Sequence, residues 1–322
     1  MQARNWVAYA AVLMALAAAQ PAKAQGYPDK PVRIIVPIGP GGSYDIVGRT
    51  VADQLGKRLG QSVVVENKPG AGTVVGTQFV ASQPADGYTL LVGGLSNIVF
   101  NQSLYSKLGH DPMKEFTPIT LVLGISYVLV GRKDLPYATL AEVIDAARKE
   151  PGKLSMANAG VGTGQHLVAA ALMNTTGAKF QEVPYKGAQA AYPDILSGRV
   201  DFFIDSYPAA LPHIKAGNVR AIAIAGPRRN PQTPEVPTMA EAGVKGFDID
   251  SWMGIFAPAK TPPEVVAKLR SEIRAILPSL KEPYEKVGGN LLDIPDAQAA
   301  PFIQREYDMW TKVIKDTGIK LD

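Results

Sequence analysis

Val32-Arg33-Ile34-Ile35-Val36-Pro37-Ile38-Gly39-Pro40-Gly41-Gly42-Ser43-Tyr44-Asp45-Ile46-Val47-Gly48-Arg49-Thr50 is the stretch from which the rest of the chain is read. Val32 to Val36 is an apolar, largely β-branched run of the kind that forms a buried strand. Pro40-Gly41-Gly42-Ser43 breaks it. Beyond Ser43, the residues Ile46, Val47, Val51 and Leu55 recur at helical spacing. The order is therefore strand, glycine-rich turn, helix. The first backbone N–H groups of such a helix have no partner within it, and the positive end of the helix dipole lies there too. Together they favour an anion, and glycine lets a ligand approach the backbone closely. The same pattern also serves as a plain tight turn between a strand and a packing helix. The two readings stand side by side until the rest of the chain is taken in.

The pattern recurs. Val63-Val64-Val65 predicts a second strand, followed by Pro69-Gly70-Ala71-Gly72-Thr73 and a short helix from Val74 to Ala81. Tyr88 to Val92 predicts a third strand, which ends in Gly93-Gly94-Leu95-Ser96-Asn97. Three strand–loop–helix units in a row argue for a parallel sheet with helices on its faces. Ligands lie beyond the carboxyl ends of such strands. Phe116 to Gly131 is a β-type run too long for one ordinary strand and reads as a crossover out of the first domain. Thr139 caps a predicted helix over 140–147. The first block then repeats: strand Leu154–Ala157, glycine-rich turn Gly160-Val161-Gly162-Thr163-Gly164, and helix Gln165–Thr175. Strand Phe180–Pro184, turn Tyr185-Lys186-Gly187-Ala188, helix Ala190–Leu196 and a strand ending at Asp205 follow. Ala221–Ala225 reads as a strand, Pro227–Pro237 as a surface loop and Phe247–Pro258 as the return crossover. Thr261 reads as the cap of a helix ending at Leu277. A last helix over 297–317 presents Phe302, Ile303, Tyr307, Trp310 and Ile314 as a buried face packed on the first domain.

Composition narrows the function. A chain of 322 residues suggests two domains. Residues 1–24 have the layout of a secretory leader: Arg4, an apolar run from Val7 to Ala19, and Ala22-Lys23-Ala24 as an A-x-A cleavage site before Gln25. Removing Arg4 and Lys23 takes 33 basic residues to 31, against 29 acidic ones. That balance argues for neither nucleic acid nor a membrane surface. There is no cysteine, so thiol nucleophiles, disulfides and thiolate metal sites are excluded. An exported, cysteine-free chain fits the bacterial periplasm. His110, His166 and His213 are too scattered in sequence for a metal cluster. His166 either faces a cleft or caps and packs its helix. Asp45, one residue into the opening helix, favours the dipole or caps. Gly70-Ala71-Gly72-Thr73-Val74-Val75-Gly76 resembles a dinucleotide fingerprint, but the acidic residue expected at the end of the next strand is replaced by Gly93-Gly94.

Six segments in order carry a family pattern. They are PVRIIVP followed by Gly-Gly-Ser-x-Asp, VVVENKPGAGTVVG, ADGYTLLVG, GVGTGQHL, VPYKGAQAAYPDILSGRVDFFID and WMGIFAPAKTP. On these the chain resembles the receptors of tripartite tricarboxylate transporters, also called Bug proteins, over essentially all of residues 25–322. The resemblance implies an α/β type II periplasmic binding protein fold. Its two lobes, each a mostly parallel sheet flanked by helices, would enclose a ligand cleft. Lobe 1 would comprise 25–124 plus 249–322, and lobe 2 125–248. It implies a monomeric periplasmic receptor, without cofactor, metal or catalytic residue, that delivers a mono- or dicarboxylate to membrane permease subunits. Carried over position by position, the first-lobe contacts are Gly41, Gly42 and Ser43, with Thr73 and Ser96. The second-lobe contacts are Asn158, Gly162, Thr163, Tyr185, Lys186, Gly187 and Ala188, with Asp205 nearby. Ile38-Gly39-Pro40 and Tyr44 depart from the family's usual opening loop; Tyr44 is a candidate for stacking on an aromatic acid. A binding module that reports to a signalling partner and a secreted enzyme remain as alternatives.

Overall fold

The computed structural model describes residues 26–245, 247, 249–317 and 320–321. The leader and its cleavage site lie outside the described residues. The opening stretch folds as its pattern requires. β1 (Val32–Val36) leads through the glycine turn into α1 (Ser43–Leu59), which Gly60 ends in a left-handed conformation. β2 (Val63–Asn67), a 3-10 turn (Ala71–Thr73), α2 (Val74–Ala81) and β3 (Thr89–Gly94) complete the first set. A wide turn over Leu95–Phe100 and two short helices, α3 (Asn101–Leu104) and α4 (Pro112–Glu115), lead into β4 (Phe116–Arg132).

The second set is α5 (Leu140–Lys149), β5 (Ser155–Asn158), α6 (Gly164–Thr176), β6 (Gln181–Pro184), α7 (Ala188–Leu196) and β7 (Phe202–Ser206). After it come α8 (Tyr207–Lys215), β8 (Val219–Ala225), β9 (Asp250–Pro258), α9 (Pro263–Lys286), β10 (Asn290–Leu291) and α10 (Asp296–Thr317).

Pairing shows the repeat. The strand order is β2-β1-β3-β9-β4-β7-β5-β6, with β8 and β10 also on β4. β1 lies parallel between β2 and β3, and β9 runs antiparallel to β3. β5 lies parallel between β6 and β7, and β4 runs antiparallel to β7. Each lobe is thus the same arrangement, closed by a strand that comes from the other lobe's neighbourhood. β4 is one continuous strand of 17 residues rather than two short ones. It pairs with β9 from Phe116 to Ser126, and with β7 and β8 from Tyr127 onward. A strand this long persists because it serves two sheets in turn.

Each sheet has its own core. Val36, Val47, Val51, Leu55 and Leu90 pack with Leu269, Ile273 and Leu280 of α9, so the C-terminal helices do return to the first lobe. In the second lobe Leu129, Met156, Leu172, Phe202 and Ile222 pack together. The terminal helix buries Ile303, Trp310 and Ile314, while Phe302 and Tyr307 are only partly covered.

One expectation needs correction. The cap of α9 is Pro262, not Thr261, and the helix runs past Leu277 through Pro278 and Pro283 to Lys286. Buried Leu280 and Tyr284 hold its last turns against the first lobe, and that packing outweighs the missing backbone donors. The proline-rich segment after β8 is the surface loop expected, pinned at two buried points: Asn230 Nδ2 donates to the Gly288 carbonyl at 2.7 Å, and Thr233 shares a 2.7 Å bond with the Tyr207 hydroxyl. α8 has no counterpart in the sequence reading, because Pro208 and Pro212 mask a short helix.

Candidate functional site

The glycine-rich turns meet across the cleft, and their glycines are what let them meet. A Cβ at Gly39 would overlap the Lys186 carbonyl, and one at Gly72 would overlap the Val161 carbonyl oxygen. Gly187 faces Gly39 in the same seam. Gly39, one of the departures in the opening loop, is thus a seam residue.

In the first jaw, Asp45 organises the opening turn. Its carboxylate accepts from the Gly41 amide at 2.9 Å, Arg49 Nε at 2.8 Å and Asn67 Nδ2 at 2.9 Å. Burial opposes its ionisation, but bonds from Arg49, the Gly41 amide and Asn67 outweigh burial and hold the carboxyl below its usual range. Gly41 (φ 81°) therefore spends its amide on shaping the loop. The amides of the first turn of α1 have no partner within the helix. Gly42 is buried, yet a Cβ built on it meets no atom within 4 Å. Beside it the Ser43 hydroxyl is buried without a hydrogen bond.

The adjoining turn is strained. Ala71, Gly72 and Thr73 all have positive φ, at 42°, 56° and 86°. For β-branched Thr73 this costs about 1–3 kcal/mol. Asn101 holds the turn, donating from Nδ2 to Thr73 Oγ1 at 3.1 Å and to the Gly72 carbonyl at 3.3 Å. Sequence reasoning missed Asn101, because nothing local in the sequence ties it to a turn 28 residues upstream.

In the second jaw, Thr163 caps α6. Its Oγ1 accepts from the His166 amide at 3.4 Å and donates to the Gly160 carbonyl at 2.6 Å. His166 Nδ1 accepts from the Gly162 amide at 3.3 Å, so this histidine belongs to the helix start. The Gly164 amide donates across the cleft to Ser96 Oγ at 2.9 Å. Ser96 therefore links the two jaws directly. Asn158 accepts from the Gly160 amide at 3.0 Å.

A cavity of about 310 Å³ lies between the jaws, within the size range of small-ligand sites. Of the expected contacts, Thr73, Thr163, Tyr185 and Lys186 line it, alongside Ile38, Gly72 and Val161. Gly41, Gly42, Ser43, Ser96, Asn158, Gly162, Gly187 and Ala188 frame the turns around it without lining it. The Tyr185 phenol turns away and donates to Asp194 at 2.6 Å; burial and that carboxylate push it up to about 12. Asp205 is fully buried, with its oxygens taken by the Ser206 amide (2.7 Å), the Tyr192 hydroxyl (2.9 Å) and Gln165 Nε2 (3.4 Å). Burial pushes its carboxyl up to about 7. Tyr44 is 7% exposed and packs in the first-lobe core, its hydroxyl beside Gly94. Tyr44 is not among the residues that line the cavity.

Among the described residues no helix is long and apolar enough to cross a membrane. The family model described as tripartite tricarboxylate transporter family receptor matches residues 47–319. Three solved structures are similar over the whole fold. The periplasmic binding protein BugD is 34% identical, with a TM-score of 0.87, covering 91% of this chain and 99% of that one. Rpa4515 of R. palustris, solved with adipate, is 32% identical with a TM-score of 0.87 and the same coverage of 91% and 99%. MatC of Rhodopseudomonas palustris, with bound malate, is 31% identical with a TM-score of 0.85, covering 89% of this chain and all of that one. With the repeated two-lobe fold and its facing turns, these matches show that the chain belongs to the tripartite tricarboxylate transporter receptor family, the Bug-type periplasmic solute-binding proteins.

Proposed function

We propose that this receptor captures a small mono- or dicarboxylate between its lobes in the periplasm and delivers it to the membrane subunits of a tripartite tricarboxylate-type transporter. The observation that carries this reading is the start of α1. Buried Gly42 has open space before it, the Ser43 hydroxyl is buried without a partner, and the amides of the first turn have no partner within the helix. Donors held rigidly in a desolvated cleft favour an anion more strongly than they would in water. The adipate and malate found with two relatives fit that chemistry.

In this reading the ligand's carboxylate lies against Gly41, Gly42 and Ser43. Thr73, Ser96 and Asn158 flank it, and Gly162, Thr163, Tyr185, Lys186, Gly187 and Ala188 close over it. Asp205 acts behind the second jaw. The lobes divide at 124/125 and 248/249, the leader is cleaved after Ala24, and the mature receptor works as a monomer. Reporting to a sensor partner uses the same binding chemistry and stands as the second reading.

Titration calorimetry of the purified protein against adipate, malate and their monocarboxylate analogues is expected to give saturable heat without turnover. No heat with any of them sinks the reading. Gly42 has φ −85°, which any residue adopts, so Gly42→Val is expected to fold and to lose carboxylate binding. Unchanged affinity in that variant moves the site elsewhere.

A further inference from the structure

A second cavity, of about 390 Å³, lies where the crossover strands pass between the lobes. It shares no lining residue with the cleft between the jaws. Trp252 and Asp250 come from β9, Phe302, Glu306 and Trp310 from α10, and Arg228 from the loop after β8. Glu306 Oε2 accepts from Trp252 Nε1 at 3.3 Å. The Trp310 indole, 4% exposed, faces the same carboxylate, and its Nε1 is buried without a well-formed hydrogen bond. One indole thus bonds a half-buried carboxylate at a cavity wall, and a second lies beside it with its Nε1 unsatisfied. Leu292 and Met309 supply aliphatic surface beside Phe302, and Met309 is 49% exposed.

We propose that this cavity is a binding site for an alkylammonium group, whether on a simple amine or on an amino acid with an apolar side chain. The charges choose the class. Glu306 and the exposed Asp250, which accepts from the Ser126 hydroxyl, line the cavity with one cation, Arg228 at the exposed rim, while Arg305 acts on Glu306 from outside the lining. An ammonium head compensates the desolvated carboxylate, and the aromatic faces favour a cation as well. The alkyl chain finds Phe302, Leu292 and Met309. Burial also raises the Glu306 carboxyl, in keeping with a site that gains from a cationic partner.

The cavity is wired to both jaws. The Trp252 carbonyl lies 2.7 Å from the Cβ position of Gly94, at the floor of the first jaw. The Ser251 hydroxyl bonds the Tyr127 phenol, which presses against Gly164 at the start of α6. Two neighbouring residues of β9 therefore line this cavity and reach the turns on either side of the cleft. Occupation of the cavity is linked to the cleft, and the linkage is reciprocal.

Tryptophan fluorescence tests the site directly. Of the three tryptophans, Trp6 lies in the leader segment and the other two line this cavity. Titration of the purified protein with n-hexylamine is expected to change the emission saturably, and hexanoate is expected to leave it unchanged. L-Norleucine separates the sources: tighter binding than hexylamine assigns an amino acid, and weaker binding assigns a plain amine. Glu306→Gln is expected to weaken hexylamine about tenfold or more. Met309→Trp, at an exposed position, is expected to fill the cavity and abolish binding without lowering the melting temperature. No response to hexylamine, an equal response to hexanoate, or full affinity in Glu306→Gln overturns the site. Adipate affinity measured with and without saturating hexylamine tests the linkage, and equal values overturn it. The fluorescence titration stands whether or not the jaws bind carboxylates, so the two failures are distinguishable.

Discussion

At the scale of single residues, the cleft depends on groups that never touch the cavity. Asp45 gathers Gly41, Arg49 and Asn67 around one carboxylate and so sets the path of the opening turn. Its folded pKa is lowered, so its contribution to stability is present above the unfolded value of about 3.9 and fades below it. Asp205 works with the opposite sign. Its carboxyl is pushed up to about 7 by burial, so the folded state holds a proton that the unfolded chain has released from about pH 4 upward. Stability from this group is therefore full below about pH 4 and lost as pH rises towards 7. Asp205→Asn is expected to flatten the fall in melting temperature between pH 5 and pH 8, as read by thermal unfolding at several pH values. A fall as steep as in the parent chain removes Asp205 as its source.

The sequence announced Asp45 and Asp205 as acids at a helix start and a strand end. It could not say that one is a loop organiser and the other a sealed core group. That distinction rests on Asn67 and Tyr192, which only folding brings alongside.

At the scale of elements, local pattern was a good guide wherever one helix or strand buries one face. Thr139 caps α5 as expected, with Glu142 completing a capping box, and Gly177 ends α6. Prolines misled where packing overruled them. α9 continues through Pro278, which is exposed while Leu280 and Tyr284 beyond it are buried. Replacing Pro278 with Ala restores a backbone donor and removes a ring clash, so the variant is expected to be more stable by about 1–3 kcal/mol. Chemical denaturation reads this as a higher midpoint at unchanged slope. A lower midpoint would mean that Pro278 stabilises chiefly by restricting the unfolded chain. Likewise α8 escaped notice because two prolines and nine residues give too short a period to read.

At the scale of the whole molecule, β4 and β9 join two copies of one arrangement, and the turns of the two copies meet face to face. Closure depends on backbone against backbone at Gly72 and Gly39. Gly72→Ala would place a methyl against the Val161 carbonyl and also strain a residue at φ 56°. The variant is expected to hold the lobes apart, with a larger radius of gyration by small-angle scattering and weaker carboxylate binding. A radius equal to that of the parent chain would show that the seam yields elsewhere.

By itself the sequence determined the class of elements, the two matching strand–turn–helix sets and the place of the glycine-rich turns. Each of these follows from residue periodicity and from backbone freedom at neighbouring positions. The tertiary structure alone decided which turn residues line the cavity and which frame it, that Ser96 bonds to Gly164, and that Asn101 steadies Thr73. Those facts depend on contacts between segments tens of residues apart. Their geometry is set by how two sheets pack and close, and no local pattern encodes it.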